Sequence, residues 1–144
     1  MQTIRRLAHF VVLIAALAAT GCANKTRTLA VAGYQTSQTA HALQTAAETA
    51  HASGTLSTPD FKNFLTAQDK VADAGIVYSK ALIAYIAAKD SGTATELAAA
   101  LAALVAGFNA LPEAVSNAVF KARIQAETAK AAPAIANAKK AGAQ

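Results

Sequence analysis

The amino-acid sequence predicts an all-α protein, a small up-and-down four-helix bundle. Three observations predict it. Alanine, the best helix former, dominates the chain beyond residue 28, while runs of β-branched and aromatic residues that would mark strands are nearly absent. Apolar residues recur in steps of three and four over the longest segments. Between those segments stand the breaks Ser53-Gly54, Asp90-Ser91-Gly92 and Pro112. Such short connections force successive helices to lie antiparallel. The alternative architecture is an extended helical hairpin.

Near the N-terminus, Arg5 and Arg6 precede the apolar run Phe10-Val11-Val12-Leu13-Ile14-Ala15-Ala16-Leu17, and Ala18-Ala19-Thr20-Gly21 then lead to Cys22, the only cysteine. The apolar stretch 7–19 is shorter than the roughly 20 residues a membrane-spanning helix needs. A charged start, a short apolar core and small residues before a cleavage point suit a signal peptide instead. From Arg5 to Cys22 the layout resembles a bacterial lipoprotein signal, with Ala19 where that family usually has leucine. The resemblance implies that residues 1–21 are cleaved and that Cys22, as the new first residue, carries a diacylglycerol thioether and an N-acyl chain of the palmitate kind. Ala23 follows the cysteine, rather than the aspartate that commonly retains such proteins at the inner membrane. The implied location is the cell envelope, at the outer membrane facing the periplasm. The alternative is a plain secretory signal that leaves an unpaired thiol. With one cysteine no disulfide forms within the chain, so stability rests on helix packing.

Residues 22–28 are polar and partly β-branched and read as a lipidated tether below a helical domain over 29–132. Gly33 and several threonines weaken the first helix, 29–52, which is expected to dock loosely through Leu29, Val31, Tyr34 and Leu43. Thr58 is the expected cap of the second helix. Pro59 suits its first turn, where a missing amide proton costs nothing, and Asp60 complements the helix dipole. Over 59–89 the residues Phe61, Leu65, Gln68, Ala72, Gly75, Ser79, Leu82 and Ile86 form a stripe. Phe64, Val71, Ile76, Tyr78, Ile83 and Tyr85 widen it, and Lys62, Asp69, Asp73 and Lys80 occupy the wet side. Gly75 predicts close approach of a neighbouring helix.

Thr93 and Glu96 have the spacing of a reciprocal capping pair at the start of a third helix. Leu97, Leu101, Leu104, Phe108 and Leu111 then form a seam, and the lack of charge over 97–111 predicts burial on more than one side. Pro112 is expected to begin the fourth helix, capped by Asn109, with Val115, Val119, Ala122 and Ala126 beside Phe120 and Ile124. Pro133 interrupts that pattern, so 133–144 reads as a basic, alanine-rich tail, frayed or disordered.

The formal net charge is +5, from 13 Lys and Arg against 8 Asp and Glu. Late in the chain Lys121, Arg123, Lys130, Lys139 and Lys140 oppose only Glu127. Such a face either meets anionic lipid or wall carboxylates or is simply a solvated helix surface. No aromatic residues interleave with these cations as a nucleic-acid platform requires, so nucleic acid is not an expected partner.

One polar constellation stands out: His41, Gln44, Glu48 and His51 step by three, four and three and share a helix face with Tyr34 and Gln38. His41, Glu48 and His51 are metal-ligand types, but ten residues separate the histidines, about 15 Å along a helix, so both cannot hold one ion. No metal or other cofactor is expected. The stripe reads instead as a solvated face or as a protein-binding surface, with Tyr78 and Tyr85 as a further aromatic contact or as rim packing. Asp69 and Asp73, one turn apart between lysines, read as a surface pair rather than an acid–base couple. No nucleophile elbow and no glycine-rich phosphate loop occurs, so an enzyme is not expected.

The order Gly54-Thr-Leu-Ser-Thr-Pro-Asp-Phe61, Ala74, Tyr78, Ala81-Leu82, Tyr85, Glu96-Leu97, Leu101, Leu104 resembles a loose class of small alanine-rich helical lipoproteins of bacterial and prophage genomes. That likeness spans residues 54–111 and implies architecture without active residues. Braun-type wall-linked lipoproteins fit less well, because they end in lysine and this chain ends Ala141-Gly142-Ala143-Gln144. The implied role is noncatalytic: interaction or structure in the bacterial envelope, with the membrane and another envelope protein as partners. The alternatives are a pilotin-like carrier of a secretion subunit and a phage-encoded lipoprotein acting in lysis or superinfection exclusion.

Overall fold

The computed structural model describes residues 24–142; the expected signal segment 1–21 and the lipidation site Cys22 lie outside the described residues. Among the described residues the chain forms the α-helices α1 (Asn24–Ala52), α2 (Thr58–Ala88), α3 (Ser91–Ala110) and α4 (Ala118–Gly142), with a 3-10 turn over Leu111–Ala114 and no strand. Each helix packs on two others, in the cycle α1–α2–α3–α4 closed by α4 on α1. Consecutive helices run antiparallel. The result is the four-helix bundle expected from the periodicity and the short turns, rather than an extended hairpin.

The starts of α2, α3 and α4 each have a local cause, and each differs by a few residues from the sequence expectation. α2 is capped by Ser57, not Thr58: its hydroxyl accepts from the Asp60 amide at 3.2 Å, which leaves Pro59 where its missing N–H is harmless. At α3 the carboxylate of Asp90 accepts from the Thr93 amide at 2.7 Å and from the Thr93 hydroxyl at 3.0 Å, so an aspartate three residues earlier does what Thr93 and Glu96 were expected to do. Pro112 opens only the 3-10 turn. α4 begins after Asn117, whose side-chain oxygen accepts from the Phe120 amide at 2.9 Å, and Asn109 is an exposed residue near the end of α3.

The core runs through all four helices. On α2 the predicted stripe is buried at Gln68, Ala72, Gly75, Ser79 and Leu82, joined by Phe64, Val71 and Tyr78, while its ends Phe61, Leu65 and Ile86 are half-buried. The α3 seam is buried as predicted at Leu97, Leu101, Leu104, Phe108 and Leu111. The rest of α3 is not. Alanines 98, 99, 102, 103, 106 and 110 face outward, so the charge-free segment is buried on one side only. α3 lies close against α2 at Gly107, where an added Cβ would stand 3.2 Å from Val71 Cγ2 and 3.6 Å from its Cα.

Two peripheral segments belong to the fold. Residues 24–28, expected as tether, are the first turns of α1, with Thr26 buried. α1 is not loosely held; it forms its most extensive interface with α4, and Ala30, Ala32, Ala40, Ala46 and Ala47 are buried on α1 as Ile124, Ala131 and Ala138 are on α4. Small side chains let the two backbones run close, which replaces bulk as the source of contact. For the same reason α4 continues through Pro133 to Gly142 instead of fraying: Ala138 is fully buried and Ala134 and Ile135 half-buried. Pro133 is exposed, so its ring lies on the solvent side while tertiary contact offsets a local cost of about 3 kcal/mol.

Candidate functional site

The polar stripe on α1 is divided rather than continuous. Tyr34 is half-buried and its hydroxyl accepts from Gln38 Nε2 at 2.9 Å. Gln44 is buried and donates through Nε2 to Glu48 Oε1 at 2.9 Å, while His41 and Glu48 are exposed. His51 has a structural task. Its Nδ1 donates to the Leu56 carbonyl at 3.1 Å, since a carbonyl can only accept, and its ring stacks on Phe61 with centroids 4.4 Å apart and planes 11° from parallel. The histidine thus pins the α1–α2 turn onto α2. Among the described residues no three His, Cys, Asp or Glu side chains gather where they could hold a metal ion.

The two tyrosines on α2 part company. Tyr78 is fully buried, so it is removed from the candidate interaction face; its hydroxyl donates to the Leu29 carbonyl at 2.7 Å and ties α2 to α1. Burial pushes its pKa well above the ordinary 10.0. Tyr85 is half-buried at the bundle's end, and Lys25 Nζ lies 5.6 Å from its ring centroid. Beside it opens an apolar pocket of about 210 Å³ whose walls come from α1, α2, α3 and α4.

A second concavity, about 500 Å³ and more open, follows the seam between α3 and α4 past Phe108, Pro112, Gln125, Ala132 and Ile135. These two helices form the least extensive of the helix–helix interfaces, and α3 lines the groove with Val105, Phe108 and Asn109. Lys139 borders both concavities. Val77, Ile83 and Val119 are exposed large apolar side chains outside them. By length and composition, Thr58–Ala88 and Ser91–Ala114 are apolar enough to cross a membrane, a property that helices of a bundle core share.

The opposite end carries a polar junction that sequence reasoning missed. Asp60 accepts from the Ser116 amide at 2.9 Å, from the Ser116 hydroxyl at 3.0 and 3.1 Å and from the Asn117 amide at 3.2 Å. Those bonds, led by the Ser116 amide, hold its carboxyl below the ordinary 3.8. Asn117 in turn donates through Nδ2 to the Thr55 carbonyl at 3.0 Å. The signal was Ser116-Asn117 itself, two good capping residues ahead of Phe120. What the sequence does not show is that an acid 56 residues earlier meets them. This junction is structural, since its carboxylate oxygens are already engaged by backbone and hydroxyl donors.

Compared with known proteins, the chain matches no protein-family model, no curated protein and no solved structure.

Proposed function

We propose that this chain is a noncatalytic bacterial lipoprotein, anchored through acylated Cys22 at the outer membrane and facing the periplasm, where its helical surface engages another envelope component. One observation carries the reading: the only cysteine closes the charged-then-apolar pattern of residues 5–22 and stands two residues before α1. Two residues reach at most about 7 Å. An anchor there holds the start of α1 beside the lipid. That end also receives the finish of α4, so Lys25, Arg27, Lys89, Lys139 and Lys140 collect there against Asp90 and Glu96. Cations next to anionic headgroups contribute about 1 kcal/mol each and orient the bundle upright.

The open α3–α4 groove favours a second reading, a pilotin-like carrier that receives a segment of a secretion subunit. Mass spectrometry of the mature protein tests the anchor. Acyl groups on Cys22 are expected, and an unmodified N-terminus at any other residue overturns the proposal. Affinity capture from membranes with the acylated chain and with Cys22→Ser then tests the partner: one protein recovered in both locates binding in the helices, whereas recovery of none overturns the interaction role.

A further inference from the structure

We infer that the pocket beside Tyr85 binds a single-chain fatty acid, its acyl chain between α1 and α3 and its carboxylate at Lys25 and Lys139. The inference does not rest on the anchor at Cys22, because it uses only groups within the bundle. Leu29, Tyr85, Leu97 and Leu101 and the alanines of α3 make the wall apolar, as a hydrocarbon chain requires. At about 210 Å³ the space is smaller than the roughly 300–1,000 Å³ sites that enclose drug-sized ligands, so it suits one narrow chain rather than a ring system or a two-chain lipid.

Charge selects the headgroup. The polar lining includes two ammonium groups and no carboxylate. Lys25 is held at the wall by the face of Tyr85, and neither lysine forms an ion pair among the described residues. Two cations on an apolar pocket without an internal counterion complement an anionic amphiphile, and a carboxylate accepts from both ammonium groups at once. A neutral alcohol or ester of the same chain length lacks that partner.

A photoactivatable diazirine fatty acid, irradiated with the purified full chain and mapped by peptide mass spectrometry, tests the assignment. Label is expected on Tyr85 and on residues 97–102, displaced by excess laurate and not by methyl laurate. Lys25→Gln with Lys139→Gln should lower that labelling at least fivefold. Ala98→Trp, at an exposed lining position, should block the pocket with the bundle intact by circular dichroism, and Ala102→Phe serves the same purpose if the tryptophan disturbs folding. Label spread equally over the exposed Val77 and Val119, displacement by the neutral ester, or labelling unchanged in the blocked variant each overturns the inference.

Discussion

At one end of the bundle the α1–α2 turn, the start of α2 and the α3–α4 connection are tied together by Asp60, Asn117 and His51, and Phe64 meets Phe120 edge-on beneath them with centroids 5.5 Å apart. At the other end the α2–α3 turn spans only Lys89 and Asp90, basic residues gather, and an apolar pocket remains open. Even the turn residues differ. The left-handed position at the tied end is Gly54, with φ 74°, where no side chain is strained; at the open end it is Lys89, with φ 52°, which carries the steric cost that glycine avoids. One end is held by side-chain ties between its connections, and the other leaves an apolar pocket among all four helices. The polar ties and the apolar pocket therefore lie at opposite ends of the same four helices.

The largest test of this contrast is truncation at each end. Phe64→Ala empties a fully buried site under the polar junction and should cost about 3–5 kcal/mol. Leu97→Ala, beside space that is already open, should cost about 2–3 kcal/mol, at the low end for such a change. Urea unfolding of the two variants measures the difference, and equal losses would erase the distinction between the ends.

Acid titration sharpens it next. Asp60 binds fewer protons folded than unfolded, so its contribution is fully present above the ordinary 3.8 and is lost as pH falls through the lowered folded value. Asp60→Asn should therefore reduce stability at neutral pH and flatten the loss below about pH 4. An unchanged acid limb in thermal melts followed from pH 2 to 7 would show that the junction does not hold the end. The smallest effect belongs to the open end: Lys89→Gly relieves the left-handed side chain and should raise stability by about 0.5–1 kcal/mol in the same urea assay.

Much of this was legible beforehand where the signal was local. The Leu97–Leu111 spacing gives a helix seam because side chains three and four apart share a face in any helix, and that face is buried. Pro59 and Asp60 mark the start of α2 because the first turn has spare amides. The candidate site was less legible. His51 looks like a ligand in sequence and becomes a clasp only because Leu56 and Phe61 fold back around it. Tyr78 and Tyr85, one heptad apart, share a helix face, yet one is sealed by α1 while the other reaches the bundle's edge.

The sequence by itself determined an all-helical chain, its main breaks, the buried leucine seam and the single cysteine at the end of a signal-like run. Those are properties of neighbouring residues: backbone hydrogen bonding, capping and periodicity act within about one or two turns. The tertiary structure alone decided that α1 and α4, both rich in alanine, close on each other, that α4 passes Pro133, that Asp60 meets Ser116, and that the far end stays open. Small side chains carry almost no pattern of their own. Which helices they bring together depends on the fit of surfaces far apart in the chain, and that fit exists only once the bundle has formed.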